Sequence, residues 1–152
     1  MKEENTIEKE FPTPSQILSN IPYHFFEIKI DKDQYFEMVE LIVKEDSEGL
    51  KELISSNNIN WKELCLFVCC IYSKKELILE FKNELEDFNP FLRISCLSGN
   101  VEMVEFFISW GADDWDESNL RAFKSRNKRV IDLIISKGKK KKKNFELKLF
   151  KN

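Results

Sequence analysis

One histidine, four glycines, four prolines and four cysteines are all that this chain of 152 residues holds of the types that most often supply chemistry or sharp turns. There is no HExxH, no GxSxG and no glycine-rich phosphate loop, so metalloprotease, hydrolase-elbow and P-loop chemistry lack their residues. His24 stands without a nucleophile or acid in any familiar spacing and reads as a packed or surface histidine. Asp113 and Asp114 could hold a cation, but acids beside a helix stop are normally solvated. The reading therefore assigns no catalytic residue, no metal and no cofactor, and expects no enzyme.

The cysteines exclude little else. Cys65, Cys69, Cys70 and Cys96 form no CxxC pair, and three of them lie in the apolar run LCLFVCCIY, 64–72. Cys65 and Cys69 would share a helical face, yet a zinc site needs more ligands than the pattern offers, so they read as small buried hydrophobes kept reduced. That run is also the longest apolar stretch, far below the ~20 residues that span a bilayer. The acidic start MKEENTIEKEFPTPS does not resemble a secretory signal. The expectation is a soluble intracellular, cytoplasmic protein, with the nucleus left open by the basic end.

So few glycines and prolines suit helices with short joints better than a sheet with many turns. With 42% hydrophobic residues the chain can bury a core. Its net charge of −3 conceals a split: residues 1–117 hold 11 basic against 25 acidic residues, a net −14, while 118–152 hold 13 against 2, a net +11. The basic end either has its own role or lies against the acidic body.

What is abundant is periodicity. LKELISSNNINW (50–61), VEFFISWGADDW (104–115) and IDLIISKGKKKK (131–142) align, matching Leu50 with Val104 and Ile131, and Leu53 with Phe107 and Ile134. Ile54, Ile108 and Ile135 follow, then Asn57, Gly111 and Gly138. The separations of 54 and 27 give a period of 27, and Leu77 and Phe81 fill the intervening unit after a one-residue slip. Trp61, Phe88 and Trp115 keep the same spacing. Gly111, Gly138 and Asn57 are types that end helices in the left-handed conformation. The clearest unit predicts a helix over about 91–98, a turn at Gly99 and Asn100, and a second helix over about 101–110. Helices this short are unstable alone, so such units bury their apolar faces by stacking.

NPFLRISCLSGNVEMVEFFISWGADDWD (89–116) resembles the ankyrin repeat family. Pro90, Leu92, Gly99, Val104, Phe107, Gly111, Ala112 and Asp113 match the family pattern, and Trp115 followed by Leu120 is similar to divergent ankyrin-like repeats of large DNA viruses and some protists. The period of 27 falls short of the family's 33, and Pro90-Phe91-Leu92-Arg93 replaces Thr-Pro-Leu-His. The last unit lacks the turn glycine, having Arg126 or Asn127 there. The resemblance implies a mainly α fold, a short ankyrin-like solenoid of about four helix-turn-helix units (35–60, 61–88, 89–115 and 116–138). Residues 1–34 would be a tail and capping segment, with Phe26, Ile28 and Ile30 extended and Asp31 or Asp33 capping a helix from about Gln34. Residues 139–152 would be a basic tail whose Phe145, Leu147, Leu149 and Phe150 cap the last unit.

The implied function is recognition of a partner protein by the concave face of the array, as a viral or host-interaction factor. That face would carry Phe67, Ile71 and Tyr72, then Arg93 and Leu97, then Arg121 and Lys124, with Asp113 and Asp114 at the rim. One of Phe67 and Ile71 must face the core. Trp110 is expected either exposed or packed on the C-terminal segment. The run Lys139, Lys140, Lys141, Lys142, Lys143 is a solvated charge run or a contact for nuclear import, anionic lipid or nucleic acid. The alternative is accordingly a nucleic-acid-associated or nuclear protein. A third reading, an adaptor presenting a substrate to a partner enzyme, has no recognisable box at the C-terminus.

Overall fold

Asp31 accepts a hydrogen bond from the Asp33 amide and starts the first helix, α1 (Lys32–Val43), as an N-cap should. The structure, a computed structural model, describes residues 31–57 and 60–150. His24 and the extended segment expected at Phe26, Ile28 and Ile30 lie outside the described residues, as does nearly all of the proposed capping segment.

The described residues form eight α-helices and no strand, so the fold is mainly helical. They come as four pairs: α1 with α2 (Ser47–Ser55), α3 (Asn60–Ile71) with α4 (Lys75–Phe81), α5 (Asn89–Leu97) with α6 (Val101–Ser109), and α7 (Trp115–Ser125) with α8 (Lys128–Phe150). A single 3-10 turn, Lys82–Glu84, follows α4. Within each pair one residue turns the chain in the left-handed conformation: Glu45, Ser73, Gly99 and Arg126, with φ of 56°, 58°, 69° and 57°. Their separations are 28, 26 and 27, which locates the one-residue slip at the Ser73 joint. At the first three joints the amide that follows reaches back five residues, Asp46 to Leu41, Lys74 to Cys69 and Asn100 to Ser95, satisfying carbonyls the helix end would leave open.

Counted from those joints, the core repeats. The residues five after them are Leu50, Ile78, Val104 and Ile131; those eight after are Leu53, Phe81, Phe107 and Ile134. All but half-buried Ile131 are buried. Four before the last three joints stand Cys69, Ser95 and Ala122, small and fully buried, and the last two let α5 and α7 approach closely. α5 packs against α6 and α7, α7 against α8, and α8 against α6. By contacts the chain divides into two units, 1–68 and 69–152, with the division inside α3. In the first, α1 packs on α2; in the second, Phe91 stacks on Phe107 at 5.7 Å.

Three expectations change. Gly138 does not stop a helix: α8 runs through it from Lys128 to Phe150, because the lysines that follow are good helix formers and no proline intervenes. The segment 139–150 is thus helix, about 18 Å of it past Gly138. Leu147 and Leu149 are exposed there and cap nothing. Asn57 is not left-handed; it closes α2 through its side-chain amide, which donates to the Leu53 carbonyl at 2.7 Å. Gly111 does adopt the left-handed turn, at φ 99°.

Candidate functional site

The three period-27 aromatics each stand where a first helix begins. Trp61 is the second residue of α3, Phe88 precedes α5, and Trp115 opens α7. Trp61 is 3% exposed, while Phe88 and Trp115 are half-buried. Phe88 meets Trp110 edge-on at 5.3 Å, Trp110 tilts against Phe106 at 4.2 Å, and the Lys82 ammonium sits 4.3 Å from the Trp110 ring. Trp110 therefore packs on Phe106 of its own helix and on the connection between α4 and α5.

Of the residues expected to bind a partner, Ile71, Leu97 and Lys124 share one place, two before their joints, at the ends of three successive first helices. Ile71 and Leu97 are half-buried and Lys124 is exposed. Val43 holds the same place in the first pair and is exposed, a position that its valine gave no reason to single out. Tyr72 and Arg121 are also half-buried. Phe67 is 0% exposed, which corrects its assignment to a binding face: it is core, and its neighbour on the apolar helix, Ile71, is the one that reaches solvent.

The acid pair Asp113 and Asp114 is held in part by Asn89, a side chain that the sequence pattern did not single out. The Asn89 side-chain oxygen, Oδ1, accepts from the amides of Asp113 at 2.8 Å and Asp114 at 3.1 Å, fixing the loop after α6 to the start of α5. The Asp114 carboxylate lies 3.6 Å from Arg93, and the Asp113 carboxylate 3.3 Å from Lys141. Expected site residues Arg93 and Asp114 are thus brought together, and one lysine of the run meets the acidic body. Lys139, Lys140, Lys142 and Lys143 remain exposed.

Beside this loop a cleft of about 970 Å³ opens between the start of α7 and the second half of α8, lined by Trp115, Asn119, Ile135 and Lys142 among others. The Trp115 Nε1 and Asn119 Oδ1 atoms are buried and find no hydrogen-bond partner among the described residues. With acids on one wall and lysines on the other, the cleft can orient a polar group.

Burial pushes the Cys65 and Cys96 thiols up to about 12, Cys96 partly offset by contact with the Ser118 hydroxyl, and raises Cys70 further still. These thiols are packing groups. No group of three or more His, Cys, Asp or Glu gathers among the described residues in a way that could hold a metal, and no described helix is long and apolar enough to cross a membrane. No family model, curated protein or solved structure matches the chain.

Proposed function

We propose that this chain is a non-catalytic binding module, a divergent ankyrin-like array that recognises a partner protein through the ends of its first helices. The observation that carries the reading is the recurrence of Ile71, Leu97 and Lys124 at one place in three successive pairs, partly open to solvent on a packed scaffold. Arg93, Arg121 and Tyr72 stand on the same helices or just beyond them, and Asp113 and Asp114 sit at the edge, held by Asn89. Apolar side chains flanked by arginine, tyrosine and acid make a surface suited to a protein rather than to a small metabolite. The recurrence of the joints at separations of 28, 26 and 27 supports the ankyrin resemblance, with the hairpin between units shortened.

The test uses a photo-crosslinking amino acid in the full chain. At Leu97 it captures a cellular protein; at exposed Glu105 on α6 it does not. Leu97→Ala then weakens capture from a second crosslinking position at Ile71 while the melting temperature stays nearly constant. Equal capture at Leu97 and Glu105 sinks the reading.

A second reading has one observation behind it: the exposed lysines Lys139, Lys140, Lys142 and Lys143 on the projecting half of α8. Consecutive residues on a helix point around its whole circumference, so only two or three of these ammonium groups can face one phosphate backbone. That ranks nucleic-acid binding second. Affinity for duplex DNA or single-stranded RNA that survives physiological salt would promote it, because two or three phosphate contacts alone give only weak binding there.

A further inference from the structure

The outer face of α7 is unfinished. Phe123 stands three residues before its joint, Arg126. The residues three before the other joints are Ile42, Cys70 and Cys96, each 0% exposed. Phe123 is 54% exposed, and Leu120, one turn earlier on the same face, is 58% exposed. On α5 this face is covered by α7, whose Ser118 hydroxyl meets Cys96. No described helix covers the corresponding face of α7.

The charges on that face say what fits it. Asp116 and Glu117 lie in the first turn of α7 and Lys124 in the last, all exposed, with Leu120 and Phe123 between them. An apolar centre with acid at one end and base at the other complements itself only when a second identical helix lies antiparallel. Around a two-fold axis near Leu120, the Leu120 side chains of two copies meet, each Phe123 flanks them, and Glu117 of each copy faces Lys124 of the other. A parallel pairing would set acid against acid and base against base. Two-fold pairing is also the commonest closed arrangement of identical chains.

We infer that the α7 face is a self-association surface, joining two copies of this chain tail to tail through antiparallel α7 helices. The exposed apolar area comes from two side chains per copy, well below the ~1,200 Å² of a stable interface, so pairing is weak and concentration-dependent, with a Kd on the order of 0.1 mM. Leu97 is on α5, outside this face, so substitutions there that test partner binding leave self-association unchanged.

Sedimentation velocity of the full chain from about 10 µM to about 1 mM reads the pairing directly. The wild-type chain shifts toward dimer across that range. Phe123→Asp and Leu120→Asp hold it monomeric with unchanged circular dichroism, since both side chains are exposed. The charge variants decide the geometry. Glu117→Lys alone and Lys124→Glu alone each weaken pairing about 10-fold or more, and an equimolar mixture of the two associates again, because each lysine then faces a glutamate. A monomer at the highest concentration overturns the inference. So does association insensitive to Phe123→Asp, which would point instead to Leu147 and Leu149. So does failure of the two charge variants to rescue each other, which would exclude the antiparallel pair.

Discussion

The side-chain amide of Asn127 donates to the backbone carbonyl of Gly99 at 3.0 Å, across 28 residues of chain. The oxygen of the same side chain accepts from the Val130 amide at 3.2 Å, capping α8. Asn100 repeats the arrangement: its amide reaches the Cys70 carbonyl at 3.2 Å and the Ser73 hydroxyl, and its oxygen caps α6 by accepting from Met103 at 3.2 Å. Each asparagine therefore starts its own second helix and clasps the joint before it.

The two halves of that side chain separate by substitution. Asn127→Asp keeps the capping oxygen and loses the donor; Asn127→Ala loses both. Alanine is expected to cost about 2 kcal/mol and aspartate about half of that, from typical values for a cap and a hydrogen bond. Urea unfolding reads the order, and an aspartate variant as stable as the wild-type chain would show the clasp contributes nothing.

The joints make an opposite pair of predictions. Arg126 holds a left-handed conformation, φ 57°, that costs a side-chain-bearing residue roughly 1–2 kcal/mol. Arg126→Gly should raise stability by about 1 kcal/mol even after the entropy of glycine is counted. Gly99→Ala should lower it by a similar amount, since φ is 69° and the new methyl would lie 3.3 Å from the Asn127 Cβ. Thermal melting checks both; a lowered melting temperature for Arg126→Gly is the contrary result.

Gly138 supplies a test of the long helix. An added methyl there would meet the Trp115 Cβ at 3.4 Å, an ordinary contact. Gly138→Ala should therefore stabilise α8 by about 0.5–1 kcal/mol and raise the helical dichroism. Were α8 to end at Gly138 in a left-handed turn, the same change would destabilise.

These cases show where the sequence was legible. The apolar register was readable because burial admits few residue types: Leu53, Phe81, Phe107 and Ile134 recur at one structural position with large apolar side chains. The joints were not. Glu45, Ser73 and Arg126 occupy a position that glycine fits best, and the strain is small enough for packing to outweigh it, so three of four turns carried no glycine to mark them. Gly138 misled for the converse reason, as a glycine in a helix interior costs only about 1 kcal/mol and need not end it. At the candidate site, Ile71 and Leu97 were recoverable from period and resemblance, and Phe67 was not separable from them because helix LCLFVCCI is apolar on every side. Asn100 and Asn127 did carry a signal, their 27-residue spacing, which the aliphatic pattern overshadowed.

Alkaline pH should weaken the fold. The Cys65 and Cys96 thiols are raised from an ordinary 9.0 to about 12 by burial, so the folded state holds their protons where the unfolded chain releases them. The stability they protect is complete below about pH 9 and falls as pH rises from there through about pH 12. Each thiol contributes a slope of up to about 1.4 kcal/mol per pH unit in that window. Urea midpoints at neutral pH and near pH 10 measure it, and Cys96→Ala should flatten the decline. A midpoint that does not move would show these thiols ionise without resistance.

The clasps made by Asn100 and Asn127 also have a direction. In both, the donor comes later in the chain and the acceptor earlier. Remove residues from the C-terminal side and what is left behind is a backbone carbonyl that water can serve. Remove them from the N-terminal side and an asparagine amide loses the carbonyl it was shaped around. Loss is therefore borne unequally at the two ends of residues 69–152. Synthesis runs the favourable way, from N-terminus to C-terminus: the Gly99 carbonyl already exists when Asn127 is made, so each pair can be read by its successor and none has to wait for a template still to come.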